Sequence, residues 1–171
     1  MLNGLEHEAS QNDVSLNLLV NQIVKKYLEW DRLEDRTDMM PIPTEMFSYM
    51  IEVAARFESE EKHARHSDAS GIVWKVAEIV SKVLRELVIL VGKEYNFDTA
   101  LSVLQRYMKA CGVDAHHRRE GATHLVIAYH NLGKTWSLFA KDLLKLVLED
   151  AAKVRVETYA TSNVAVARVS M

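Results

Sequence analysis

Histidine and carboxylate spacing offers the first chemistry in this chain. Glu60 and His63 stand three residues apart, so on a helix one turn aims both side chains the same way, as in the Glu-x-x-His ligand pairs of carboxylate-bridged metal proteins. His66 follows three residues later, and His117, Glu120 and His124 form a second group at spacings of three and four. A metal reading therefore rests on Glu60, His63, His117 and His124, with Zn, Mn or Fe as the fitting ions. Against it, Glu60 to His66 is the most polar stretch of the chain and has no apolar flank to carry ligands into a bundle core. A dinuclear site also needs four carboxylates and two histidines directed inward. The expectation is surface or otherwise satisfied histidines and no cofactor, with the metal-dependent enzyme kept as an alternative.

Nucleophilic chemistry has less support. Cys111, the single cysteine, falls on the apolar side of an expected helix, where a thiol behaves as a small hydrophobe. Leu132-Gly133-Lys134-Thr135 contains a Gly-Lys-Thr but lacks the upstream glycine and the preceding strand of a phosphate-binding loop. Neighbouring carboxylates, Glu60 with Glu61 and Glu149 with Asp150, diverge on a helix. No catalytic residue is assigned.

Arg106, Lys109, His116, His117, Arg118 and Arg119 surround Gly112. A helix, a glycine turn and a second helix invite comparison with a helix-turn-helix, but Arg118 falls where the second helix needs an apolar residue. Phosphate contact asks only for proximity of positive charge. Nucleic-acid binding through Arg106, Lys109, Arg118 and Arg119 is thus an alternative function.

The elements that would position these groups read as helices. The 171 residues are 49% hydrophobic with six glycines and two prolines, too few turn formers for a sandwich or barrel. Apolar residues recur at helical spacing from Leu16 to Leu28 after an Asp13 cap, from Phe47 to Phe57 after Thr44, from Ile72 to Val91 before Gly92, and from Leu101 to Cys111 after Asp98. The longest run, 121–156, places Leu125, Tyr129, Leu132, Trp136, Phe139, Leu143 and Leu146 at alternating steps of four and three, one stripe of a helix. Gly133 is its expected break. The expectation is an all-α, single-domain bundle of about five helices with a long C-terminal helix: a flexible segment 1–12, a bundle 13–157, and a tail 158–171 that is a small β-hairpin or flexible.

Charge and surplus apolar surface point to partners. Residues 1–70 carry seven Lys/Arg against fourteen Asp/Glu, and residues 71–171 carry fourteen against ten, an asymmetry suited to another copy or a basic partner. Trp30, Met39, Met40 and Ile42 place apolar side chains in a proline-containing linker, and Leu144 and Leu148 widen the last helix beyond one stripe. These six are the candidate partner-binding residues. The function expected is non-enzymatic protein–protein contact, by self-assembly into a homo-oligomer. With one cysteine, no basic leader and no apolar run beyond the five residues of Leu87 to Val91, the expected setting is cytoplasmic, without a membrane span.

Overall fold

The structure, a computed structural model, describes residues 2–28, 42–64, 71–90 and 94–171, with side chains of 60–64 excluded. It divides into two compact units, Met1–Pro41 and Ile42–Met171.

The first unit holds α1 (Leu2–Gln11) and α2 (Leu16–Lys26). Asp13 sits in the turn between them at φ 52°. The cap of α2 is Ser15 rather than Asp13: its hydroxyl accepts the Leu18 N–H at 3.1 Å, satisfying a donor that has no partner within the helix.

The second unit opens with α3 (Thr44–Ala64), α4 (Ile72–Leu90) and α5 (Phe97–Ala110). Glu58 of α3 accepts the Ile72 N–H at 2.7 Å, setting a negative charge at the positive end of α4. Asn96, not Asp98, caps α5 through a reciprocal box with Thr99. Gly112 ends α5 at φ 70°, with Val113 N–H bonded to the Met108 carbonyl, the left-handed closure that glycine favours.

From there the chain departs from the all-α expectation. β1 (Asp114–Glu120), β2 (Thr123–Tyr129), α6 (Gly133–Ala152), β3 (Val156–Ala160) and β4 (Val164–Ser170) follow. The strands form an antiparallel sheet in the order β1-β2-β4-β3, so the class is α+β. The single long helix expected over 121–156 is a strand, a turn and a 20-residue helix. Thr123–Tyr129 is apolar on both faces, and its Leu125 and Tyr129 coincide with a four-residue helical step. Its burial alternates instead: His124, Val126 and Ala128 are buried while Leu125 and Ile127 are half-covered, the period of two that belongs to a strand. Gly133, the expected break, is the first residue of α6 at φ 83°. The tail takes the hairpin alternative, since β3 and β4 pair from Val156↔Val169 to Ala160↔Ala165.

One face of the sheet packs on the helices. Val126, Ala128, Ala165, Ala167 and Val169 are buried on that face, and α6, whose Trp136, Phe139, Leu143, Leu144 and Leu148 are at most 1% exposed, packs on β3 and β4. Leu84, Leu87 and Val88 of α4 and Leu101, Leu104 and Met108 of α5 complete the core. Burying each large side chain contributes about 1.5–3 kcal/mol, which makes α6 the helix on which the unit is built. Phe47 of α3 meets Phe139 edge to face at 5.5 Å.

Candidate functional site

The β1–β2 hairpin brings two of the expected metal ligands together. Gly121 at φ 62° opens its two-residue turn, a place where hairpin geometry favours glycine. With Arg119 opposite His124 and His117 opposite Val126, both histidines lie on the helix-facing side. Their Nε2 and Nδ1 atoms are 2.9 Å apart. The ring planes lie within 10° of each other, yet the centroids are 5.1 Å apart, too far for face-to-face stacking at that nitrogen distance. The rings are edge to edge, joined by one N–H···N hydrogen bond, so one nitrogen donates and the other accepts. Phe97, at the start of α5, sets its ring against both, 4.7 Å from His124 and 6.3 Å from His117. Burial holds the His124 pKa below the usual histidine value, and His117 and Arg119 push the same way against Asp98.

This arrangement does not assemble the expected ligand set. Glu120 pairs with Thr123 on the other face of the hairpin and bonds Arg118 at 2.9 Å, because adjacent strand residues point in opposite directions. The two imidazole nitrogens point at each other rather than at a common third point. Among the described residues, no group of three or more His, Cys, Asp or Glu is placed to hold a metal ion. The side chains of Glu60 and His63, and all of His66, lie outside the described residues.

A second histidine site was not read from the sequence. His130, in the turn before α6, is 6% exposed, and its Nε2 lies 2.8 Å from Ser137 Oγ, itself fully buried. The pair resembles half of a hydrolytic triad, but the tautomer opposes that role. His130 Nδ1 accepts the Leu132 N–H at 3.2 Å, which leaves the proton of the neutral ring on Nε2, donated to Ser137. A general base must instead accept from its serine. Burial also holds the His130 pKa down, keeping the ring neutral. The pair fastens the turn to the first turns of α6, with Ser48 Oγ donating to the Leu132 carbonyl at 3.1 Å. The seven-residue spacing spans a turn and a helix start, so no periodic pattern announces it. Beside it, Trp136 Nε1 is buried without a hydrogen-bond acceptor among the described residues, its ring 4.7 Å from His130.

The Gly-Lys-Thr segment does gain a preceding strand, β2. The strand runs in an antiparallel sheet, and the turn donates its Leu132 N–H to His130, so that group is not turned toward a phosphate. Lys134 is exposed on the first turn of α6. Cys111, beside Tyr107, is half-buried; burial raises both its thiol pKa and that of Tyr107, opposite to what a reactive thiolate needs.

The expected nucleic-acid residues fall at two ends of β1. Arg106 and Lys109 line an open groove of about 590 Å³ with Ser102, Gln105, Asp114 and Ala115. Arg118 and Arg119 lie near the opposite end, roughly 13 Å along the strand from Asp114 at ~3.3 Å per residue. Arg118 bonds Glu120, and Arg119 Nε donates to the Gly121 carbonyl at 3.0 Å. The basic residues thus do not form one concentrated patch.

The expected partner surface is also redistributed. Leu144 and Leu148 have no exposed surface; the sheet and neighbouring helices cover the apolar surplus of α6. Ile42 is 37% exposed, and Trp30, Met39 and Met40 lie outside the described residues. In the second unit, uncovered apolar area lies instead on α3 and α4; in the first unit, Leu18, Ile23, Val24 and Tyr27 are exposed as well. On α3, Met46, Tyr49, Met50 and Phe57 are exposed, while Ile51 is buried. At 100° per residue these four lie on the opposite side of the helix from Ile51. On α4, Ile72, Ile79, Val83 and Leu90 are exposed, while Ala77, Leu84 and Val88 are buried. Both helices are therefore apolar on two faces. The sequence signal is the 4-3-4 spacing of Met46, Met50, Val53 and Phe57 and of Ile72, Val76, Ile79 and Val83. Compared with known proteins, the chain matches no family model and no curated sequence.

Proposed function

We propose that the protein works by self-association, through the outward apolar faces of α3 and α4. The observation that carries this reading is nine large apolar side chains left uncovered on these neighbouring helices: Met46, Tyr49, Met50, Phe57, Ile72, Ile79, Val83, Ile89 and Leu90. Together they leave on the order of 1,000 Å² exposed, comparable with the ~800 Å² per partner of a standard interface. Water contact with such surface costs roughly 25 cal/mol per Å², and a second copy removes it.

No described helix is long and apolar enough to cross a membrane. Among the described residues, the His117–His124 and His130–Ser137 pairs are committed to internal bonds.

Sedimentation equilibrium tests the reading. The expected result is a dimer or larger assembly at micromolar concentration, converted to monomer by Ile79→Glu together with Phe57→Glu. A wild-type chain that stays monomeric at several hundred micromolar overturns it.

A further inference from the structure

The outward face of α4 contains its own specification for how two copies meet. Ile72, Val76, Ile79, Val83, Glu86 and Leu90 step along the helix by 4-3-4-3-4, the spacing that keeps one seam facing a partner helix. Glu86 alone interrupts it. Lys75 lies beside the seam one helical step from Val76, and both Lys75 and Glu86 are exposed.

Neither charge is matched by an ion pair among the described residues. The exposed ion pair of α4 is Lys82 with Glu78 at 2.7 Å, and Arg85 is taken by Asp150 at 3.0 Å. Lys75 and Glu86 have no ion pair among the described residues.

We infer that two copies pair α4 against α4 in antiparallel orientation, with Glu86 of each copy against Lys75 of the other. The inference rests on the self-association proposed above and specifies its geometry. Parallel, in-register pairing would set Glu86 against Glu86 and Lys75 against Lys75, one like-charge contact within the apolar seam and one beside it. Antiparallel pairing over the full helix has its centre at Ser81, the midpoint of Ile72–Leu90. Ile79 then meets the other copy's Val83, and Ile72 meets its Leu90. Glu86 faces Val76, with Lys75 beside it, so the one polar interruption acquires a counter-charge. The arrangement is isologous, as a two-fold dimer requires, and every such contact occurs twice. Rim charges of this kind select orientation and partner more than they add affinity.

A charge-swap experiment on the full chain, read by sedimentation equilibrium, tests the register. Glu86→Lys alone and Lys75→Glu alone each turn two attractive contacts into two repulsive ones and should weaken the dimer by about tenfold to a hundredfold. The double variant should regain wild-type affinity, and an equimolar mixture of the two single variants should form mixed dimers. Circular dichroism should show all variants folded, because both side chains point outward. A wild-type dimer whose double variant is no tighter than the single ones, or whose single variants do not pair with each other, overturns the antiparallel register alone. Preferential pairing of Glu86→Lys with wild type over either self-pairing also overturns it, in favour of parallel helices. A wild-type chain that does not dimerise overturns this inference and the self-association beneath it.

Discussion

His117 and His124 share one hydrogen across 2.9 Å, and that bond needs one ring nitrogen to remain unprotonated. Two imidazolium rings cannot make it, since both would be donors. The pair joins β1 to β2 beneath Phe97, so proton uptake here acts on the contact between the hairpin and the start of α5.

Stability should fall on mild acidification. His124 and His130 both have pKa values lowered in the folded chain, chiefly by burial, so below the unfolded histidine value of about 6.5 the unfolded chain binds more protons. Full stability is present above that value and is lost as pH falls through the depressed folded values, with a slope of at most ~1.4 kcal/mol per pH unit for each histidine. Urea midpoints between pH 5 and 8 check this; His124→Gln should make the dependence shallower, and unchanged midpoints across the range would contradict it.

Ser137 should be structural and chemically inert. Ser137→Ala removes the acceptor of the buried His130 N–H and should cost about 1–3 kcal/mol. The intact protein should not be labelled at Ser137 by a fluorophosphonate, because His130 donates to the hydroxyl rather than accepting from it. Mass spectrometry after exposure to the reagent decides the point.

The two faces of the helical layer should respond differently to mutation. Leu148→Ala, in the core of α6, should lose roughly 2–5 kcal/mol of stability. Ile79→Ser, on the outer face of α4, should change monomer stability by no more than ~0.5 kcal/mol. Denaturation at submicromolar concentration separates this effect from any on assembly.

The network around Asp150 should contribute little energy but a distinct titration. Asp150 bonds Arg85 at 3.0 Å and Lys153 at 2.7 Å, and its pKa is lowered first by the Lys153 bond. That contribution is present above the ordinary carboxylate range, near pH 4, and disappears as pH falls through the depressed value. Because these groups are partly exposed, an Arg85–Asp150 double-mutant cycle should give less than ~1 kcal/mol. Burial, reinforced by Asp150, pushes the Tyr95 phenol up to about 12, so difference absorbance against Tyr95→Phe should place its ionisation near that pH.

Legibility in the sequence followed the range of the interactions involved. α4 could be read almost to the residue because a 3.6-residue pattern runs through it. Gly112 was legible as a helix end and Gly133 as a break, although the segment before Gly133 is a strand and not the first half of a helix; both glycines occupy a backbone conformation that glycine favours. β1 could not be read: Asp-Ala-His-His-Arg-Arg-Glu has no apolar alternation, and it is a strand because β2 offers it a ladder from Asp114↔Tyr129 to Glu120↔Thr123. β2 was misread because burial on one face and half-cover on the other fill both sets of positions with apolar residues.

By itself the sequence determined the helical stretches of α3, α4 and α5 and a break at Gly133, which it placed inside one long helix. These are consequences of local periodicity, backbone preference and composition. The tertiary structure decided that the C-terminal part is a sheet wrapped on α6, that His117 and His124 meet while Glu120 turns away, that Ser137 closes on His130, and that Leu144 and Leu148 are covered while the outer faces of α3 and α4 are not. Each of these depends on which strands pair and in which register, and a shift of one residue would exchange the faces.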